Sequence, residues 1–445
     1  MALTKVTYSM IDGAVANALD YGADPTGAVD STTAITNALT AASVVFLPAG
    51  TYKVSQIVIT GSGNSAVFGK TLRGAGIGMT TIVGAVAGTS VIRFGTSGGW
   101  VDEPNLQEYR SDYCALEDLS INASAAYTYG VECQWMTNSS WSNISISDGG
   151  LGGSITTGFY LDFSWDNDFV HMTIAAENGV QMGSHGPNRN SFHGLRVAGG
   201  GSPGIGFDFA GSANSVFGLD ASAYYAGVAS SNGGFGLTIH GGYFESNDYD
   251  INLNNCSGIS VTGCRFIVGI NNNIAITQAG GANVRGFLIA GNAFTNKTSC
   301  IRPTANTQEW VAHGNEFVSC TATIDPVGTG GNYHVFENYE YSFTPVFTNL
   351  VTTGSPTYSG KYIRMGKTIR FVVFIDDAGG TTASTAGSTY FTGLPTAVAN
   401  GGNLSAVDSA IANLGNGLVA TIYAYTPTWG ANGNQIIISG SYTVA

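Results

Sequence analysis

Residues 238–245 read T-I-H-G-G-Y-F-E, 260–267 read S-V-T-G-C-R-F-I, 288–295 read L-I-A-G-N-A-F-T, and 311–318 read V-A-H-G-N-E-F-V. One phrase is written four times. Each copy carries a glycine (Gly241, Gly263, Gly291, Gly314) and, three residues on, a phenylalanine (Phe244, Phe266, Phe294, Phe317). The glycines are 22, 28 and 23 residues apart. Periods of this size mark a solenoid, in which each repeat buries its apolar face only against its neighbours.

With the glycine as position zero, weaker copies fall backwards at Asp118, Asn143, His171, Gly194 and Gly218, and forwards near Glu337. The runs 144–146, 195–197 and 259–261 are short, β-prone and broken by Gly, Asn and Ser, which predicts strands and turns. A unit of this length with short strands and no helix predicts a parallel β-helix. A leucine-rich repeat has a similar period, but its leucine framework is absent. Two asparagine columns support the register. Asn167, Asn190 and Asn214 lie four places before the zero position; Asn292, Asn315 and Asn338 lie one place after it. Stacked turn asparagines can hydrogen-bond along a solenoid axis.

The chain has 445 residues, with 63 glycines that follow no three-residue period, so collagen is excluded. Apolar residues make up 44%, enough for a large core, and a disordered chain is excluded. Lys and Arg total 16 against 29 Asp and Glu, a net charge of −13. That balance argues against a nucleic-acid partner and against an anionic membrane surface. The six cysteines (Cys114, Cys133, Cys256, Cys264, Cys300, Cys320) show no metal-ligand spacing and read as small core thiols. No metal or other cofactor is expected. The start M-A-L-T-K-V-T lacks the apolar stretch of a signal peptide, and no run is long enough to span a bilayer. Synthesis and folding in a cytosol are expected, with no membrane insertion.

Residues 20–39 read D-Y-G-A-D-P-T-G-A-V-D-S-T-T-A-I-T-N-A-L. Asp24 to Gly27 form a turn, and Asp30 is the expected N-cap of a short helix with Ile35, Ala38, Leu39 and Ala42 on one face. Such a helix would close the open end of the β-helix. Residues 44–54, V-V-F-L-P-A-G-T-Y-K-V, predict a strand, a Pro-Gly turn and a second strand. This opening and the L-R-G-A-G at 72–76 resemble the N-terminal cap and first turns of the pectate-lyase-like superfamily, in the branch found in bacteriophage tailspikes. The resemblance implies a right-handed parallel β-helix over residues 19–341 and a leader at 1–18 that attaches to another virion tail component. Residues 84–113, with Trp100, Asp102, Glu103 and Pro104, read as a loop excursion. After Tyr341 longer alternating strands (361–365, 368–375, 417–425, 435–444) predict an antiparallel β-sandwich over 342–445. Its G-K-Y-I-R-M-G-K-T-I-R-F phrase resembles the C-terminal domains of phage tail proteins, which implies trimerisation, carbohydrate binding or both. A simple cap on the solenoid is the other reading.

If Phe244 points inward, its neighbours Tyr243 and Glu245 point outward. Position +2 then holds Arg196, Asp220, Tyr243 and Arg265, and position +4 holds Glu245. Asp220 and Glu245 would lie one turn and two residues apart, about 8 Å between Cα atoms. That suits the paired carboxyls of glycoside hydrolysis, one protonated and one ionised. Tyr243, with Tyr224 and Tyr225, offers stacking surface for sugar rings; Arg196 and Arg265 could bind acidic sugars. Asp248 and Asp250 are alternative acids, each also suited to a turn. His240 shares position −1 with His193 and His313, and would serve a lyase or simply the surface. Trp165 could line the groove; Trp135 and Trp141 suit the groove or the core. The resemblance implies a homotrimeric tailspike, located on the virion tail, that binds and cleaves a capsular or O-antigen polysaccharide of a bacterium. Hydrolysis is the expected chemistry. A polysaccharide lyase and a non-catalytic receptor-binding fibre remain the alternatives. On this fold two subunits can share a site.

Overall fold

The computed structural model describes residues 15–59, 67–95, 111–278, 284–304, 307–324, 332–336, 341–365, 368–377, 379–394, 398–410, 412–420 and 423–444. These residues fall into two compact units. The first runs to Glu309 and takes in Glu316–Asn332; the second holds Trp310–Asn315 and Tyr333–Ala445.

The first unit is a β-solenoid of parallel strands. One turn is made of Thr238–His240, Tyr243–Glu245 and Tyr249–Leu253, and the next of Ser260–Thr262, Arg265–Phe266 and Ile274–Gln278. Each strand pairs in register with its equivalent, as Thr238 with Ser260, Tyr243 with Arg265 and Tyr249 with Ile274. The bend between the first two strands is the repeat glycine itself. Gly194, Gly218, Gly241, Gly263, Gly291 and Gly314 all have φ between 62° and 67°. Asp118, Asn143 and His171, read as weaker copies, adopt the same left-handed conformation at 57°, 52° and 52°. Glycine enters that region without the steric cost of a Cβ, which explains its dominance here. A second left-handed column lies five residues earlier, from Tyr113 through Asn138, Asp166, Arg189 and Ala213 to Gly236, Gly258 and Gly286. Its residue types vary, so it left no motif in the sequence. Glu337 and Asn338 lie outside the described residues.

The repeat phenylalanines point inward and stack. Ring centroids are 4.9 Å apart for Phe244–Phe266, 4.8 Å for Phe266–Phe294 and 5.1 Å for Phe294–Phe317, with planes within 13° of parallel. The same column begins with Ile121, Ile146, Ile174, Val197 and Ala221, all buried. The first asparagine column is a hydrogen-bonded ladder. Asn167 Nδ2 donates to Asn190 Oδ1 at 2.9 Å, and Asn190 Nδ2 to Asn214 Oδ1 at 3.1 Å. Each acceptor also takes a backbone N–H of the preceding turn, from Asn167 at 3.3 Å and Asn190 at 2.9 Å. The second column works differently at its start. Asn292 bonds the Cys264 N–H at 2.9 Å and the Val261 carbonyl at 3.0 Å, because a cysteine fills its position in the turn before.

The helix forms at Thr32–Ala41 and buries Ala34, Ile35, Ala38 and Leu39. Its N-cap residue is Ser31, one place later than expected, but the Ser31 side chain makes no capping bond; the Asp30 carboxylate supplies it, accepting the Thr32 N–H at 2.7 Å and also the Ser55 hydroxyl at 2.6 Å. Lys70 Nζ closes the other end by donating to the Leu39 and Ala42 carbonyls at 2.5 and 3.0 Å, which satisfies two terminal acceptors with a cation. The Asp24 carboxylate accepts the Thr26 hydroxyl and the N–H groups of Thr26 and Val29, and these bonds, led by the hydroxyl, lower it to about 2. Among the described residues parallel pairing starts at Ala16–Asn17, earlier than the sequence suggested. The stretch read as a loop excursion contains a strand, Gly88–Phe94, which pairs with Ile57–Ile59 and Ala126–Gln134. Its S-V-I-R-F end carries apolar Val91, Ile92 and Phe94 into the core. Trp100, Asp102, Glu103 and Pro104 lie outside the described residues, as do residues 1–14 of the leader. All six cysteines are free, and five of them are buried.

The second unit holds an antiparallel sheet in which Thr368–Asp376 lies between Thr357–Met365 and Ile436–Val444. A small three-stranded sheet of Val351–Thr353, Thr381–Ser384 and Trp429–Asn432 accompanies it. Phe371, Val373, Phe391, Leu404 and Ile438 are among its core residues. The run 417–425 is not one strand. Ala420 pairs with Tyr423 and Leu418 with Tyr425, so the chain reverses there in a tight hairpin.

One ion pair is sealed inside the solenoid. Lys297 Nζ lies 2.5 Å from Asp250 Oδ2, and both side chains are fully buried. Asn247 Nδ2 donates to the other Asp250 oxygen at 3.1 Å. Burial pushes the Asp250 carboxyl up to about 6, against the opposing pull of Lys297. A raised carboxyl favours folding in its protonated form, so its contribution fades as pH rises from about 4 through 6. Lys297→Met therefore costs about 3–5 kcal/mol of unfolding free energy at pH 8, and less at pH 5, where a protonated Asp250 needs no cation. The added change Asp250→Leu recovers most of the loss. Denaturant midpoints at the two pH values check both statements.

Candidate functional site

The face that follows the repeat glycine has an outward column at position +2. Register pairs Thr173 with Arg196, Arg196 with Asp220, Asp220 with Tyr243 and Tyr243 with Arg265. Position +4 runs Ala198, Ser222, Glu245 by the same pairings. These side chains alternate with the buried Val197, Ala221, Phe244 and Phe266, which is why they face out. Asp220 and Glu245 thus stand one turn and two residues apart, a Cα stagger of about 8 Å from strand and turn spacings.

The two carboxyls have different surroundings. Asp220 is half-buried, and burial raises its carboxyl above the ordinary range. The Arg196 guanidinium, with Nε 3.4 Å from Asp220 Oδ2, opposes that shift, while the charge of Glu245 adds to it. Glu245 accepts the Tyr243 hydroxyl at 3.3 Å. The Tyr243 phenol is raised by partial desolvation and then by the Glu245 charge and hydrogen bond. Asp220 is therefore more readily protonated than an ordinary aspartate. Arg265 stands exposed beside Tyr243 on the next turn.

An aromatic row flanks this face just before the bend. His193 and Phe217 stack with centroids 4.9 Å apart, and His240 follows Phe217 at 6.5 Å, edge-on. His240 Nδ1 is 2.9 Å from Thr262 Oγ1. Phe217 was not singled out from the sequence. Its signal was its place at position −1, shared with the two histidines.

Four expected site residues lie elsewhere. Tyr224 is buried, at 1% exposure, and its hydroxyl lies 3.4 Å from the Ala176 carbonyl. The left-handed residue Ala223, φ 63°, breaks the alternation and turns Tyr224 inward. Tyr225 then faces out beyond that corner, edge-on to Tyr249 at 5.2 Å. Asp248 is buried past the corner at Ser246 and accepts the Asn271 N–H and side-chain amide at 3.1 and 2.9 Å. It holds a turn and does not join the carboxyl pair. Trp165 sits half-buried on a different corner, bridging the backbones of Thr137 and Asn188, 6.3 Å from the buried Trp135. Trp141 is also in the core. Among the described residues no cluster of three His, Cys, Asp or Glu side chains could hold a metal ion.

Residues 15–106 match the family model described as rhamnogalacturonase A/epimerase, pectate lyase-like. No curated protein matches the chain in sequence. Solved structures with a similar fold include the A-module of the mannuronan C-5 epimerase AlgE6 of Azotobacter vinelandii. It has a TM-score of 0.54 at 15% identity, over 73% of this chain and 99% of that one. The gp42 tailspike of Acinetobacter phage vb_AbaP_AS12 has a TM-score of 0.53 at 10% identity, over 86% and 82%. The catalytic unit of a GH87 alpha-1,3-glucanase from Streptomyces thermodiastaticus has 0.50 at 17%, over 75% and 69%. At these identities the likeness carries the fold alone. The chain is an all-β solenoid whose N-terminal part matches a pectate-lyase-like family model and whose fold is shared with a phage tailspike, among other solved structures.

Proposed function

We propose that this chain is a phage tailspike that binds a bacterial capsular or O-antigen polysaccharide and cuts it by glycoside hydrolysis. The staggered pair Asp220 and Glu245, set beside Tyr243 on one outward face, carries the reading. Asp220, raised by burial, donates a proton to the leaving glycosidic oxygen. Glu245 activates a water or attacks the anomeric carbon; the stagger suits either separation. Tyr243 and the row His193, Phe217 and His240 offer ring faces for sugars. Arg196 and Arg265 hold acidic or hydroxyl groups on either side. The tailspike likeness supports a place on the virion tail, with residues 1–18 attaching to another tail component and 342–445 serving trimerisation or carbohydrate binding. A lyase on the same fold would instead use His240 or Tyr243 with Arg265 to remove a proton next to a uronate carboxylate.

Digestion of purified capsular and O-antigen polysaccharides, read by mass spectrometry, checks the chemistry. Hydrolysis gives fragments heavier by one water without new ultraviolet absorbance; unsaturated, absorbing fragments mean a lyase; binding without fragments means an adhesin. Glu245→Gln lowers the cutting rate by about 10²–10⁴-fold with binding retained. Unchanged cutting removes Glu245 from the mechanism. Arg196→Ala takes away the cation that holds Asp220 down, so the alkaline limb of the rate profile moves to higher pH. A profile that stays put or moves to lower pH contradicts the acid role. Light scattering is expected to give three times the chain mass of 45.9 kDa, and a monomeric mass refutes the trimer.

A further inference from the structure

A second cleft, of about 570 Å³, lies on another corner of the solenoid, away from the Asp220 and Glu245 face. Its floor follows the column Ser212, Phe235, Ser257 and Arg285, which pair turn by turn. It therefore runs along the solenoid axis, with Phe235 and Arg285 two turns, about 10 Å, apart. Phe235 is 64% exposed, the highest value among the phenylalanines with large exposed surface. Nothing in the packing of the core requires an aromatic ring there, since Ser212 and Ser257 hold the same position in the adjoining turns. Asn188, Asn232 and Asn255 line the walls.

The charge of this cleft is unlike that of the chain. Acids outnumber bases 29 to 16 overall, yet the lining holds Arg285 and no carboxylate. Arg73, Arg189 and Arg196 each stand within 4 Å of an aspartate. Arg285 is exposed and has no carboxylate at ion-pair distance among the described residues. The rim is preformed. Ser184 and Gly186 line the cleft on either side of His185. The buried Asp162 holds that segment, accepting the His185 N–H at 3.0 Å and lying 2.9 Å from His185 Nδ1. Phe163 stacks on the imidazole at 4.3 Å.

We infer that this corner cleft is a second, non-cutting binding site for an acidic polysaccharide, with a sugar ring on Phe235 and a carboxylate of the polymer on Arg285. The inference rests on the reading of the chain as a polysaccharide-binding protein. An aromatic face, a lone arginine and several amide and hydroxyl groups suit an extended anionic glycan. A site that grips without cutting would hold the polymer while the carboxyl pair acts on another stretch, an avidity effect.

The test uses the whole chain with a panel of acidic bacterial polysaccharides and the same polymers after carboxyl reduction, with binding read by calorimetry. Phe235→Ala and Arg285→Gln each weaken binding of the acidic polymer by roughly tenfold, with melting unchanged because both side chains are exposed. Carboxyl reduction of the polymer abolishes the Arg285→Gln effect. Initial cutting rates on short fragments stay at the wild-type value in both variants. If Tyr243→Ala abolishes binding while both cleft variants bind as wild type does, the cleft site is overturned and the polysaccharide reading stands. If Arg285→Gln weakens acidic and reduced polymers equally, the assignment to an acidic ligand is overturned. If wild type binds none of the panel, the polysaccharide reading itself falls and takes the cleft with it.

Discussion

Everything in the first unit depends on the in-register stacking of parallel strands, about 4.8 Å from turn to turn. That spacing leaves no room for a residue to act alone. Whatever one turn places at a position, the next turn must meet with something that packs, bonds or bends in the same way. The left-handed bend at the repeat glycine is the strictest case, because a change of hand at one turn would move every outward residue after it to the core. Asp118, Asn143 and His171 keep the conformation without being glycine, at a cost of roughly 1–2 kcal/mol each. The ladder and packing on either side sustain that cost.

The same constraint explains how polar groups are tolerated inside. Asn167, Asn190 and Asn214 are wholly buried, yet each amide has a partner one turn away at the right height. An asparagine alone at that depth would leave its donors unpaired. Asp250 and Lys297 are the ionic version, two turns apart and closed to water. Such a pair is poor evidence of extra stability, since its desolvation offsets much of its attraction. It does tie Asp250 to one register, because no other register brings that carboxylate to the lysine.

Function follows from the positions that stacking leaves free. Outward residues do not have to match from turn to turn, so Arg196, Asp220, Tyr243 and Arg265 can differ in charge and shape while their backbones stay equivalent. The solenoid thereby turns a list of dissimilar side chains into an ordered row at fixed spacing, suited to an extended polymer. Each corner begins a new row with its own chemistry. The acidic face carries a raised carboxyl beside an arginine; the corner cleft carries Phe235 and Arg285 with no carboxylate.

The sequence by itself determined the turn length, the place of the repeat glycine, the inward phenylalanines and the asparagine ladder, because these are demands that recur from turn to turn and so appear as columns. It also determined the stagger of one turn and two residues between Asp220 and Glu245, since strand alternation and one-turn spacing suffice to place them. It did not determine what lies past a corner. Tyr224 and Tyr225 are adjacent and alike in sequence, yet Ala223 turns one into the core and leaves the other in solvent. Asp248 and Glu245 are three residues apart, and Ser246 separates a turn-holding carboxylate from an outward one. Only the tertiary structure decided these cases. A corner residue of ordinary type can take a left-handed φ when its neighbours in the stack hold it there, and no single stretch of sequence contains those neighbours. The cleft of Phe235 and Arg285 stayed illegible for the same reason: the two residues lie 50 positions apart and come near each other only because the strands between them stack.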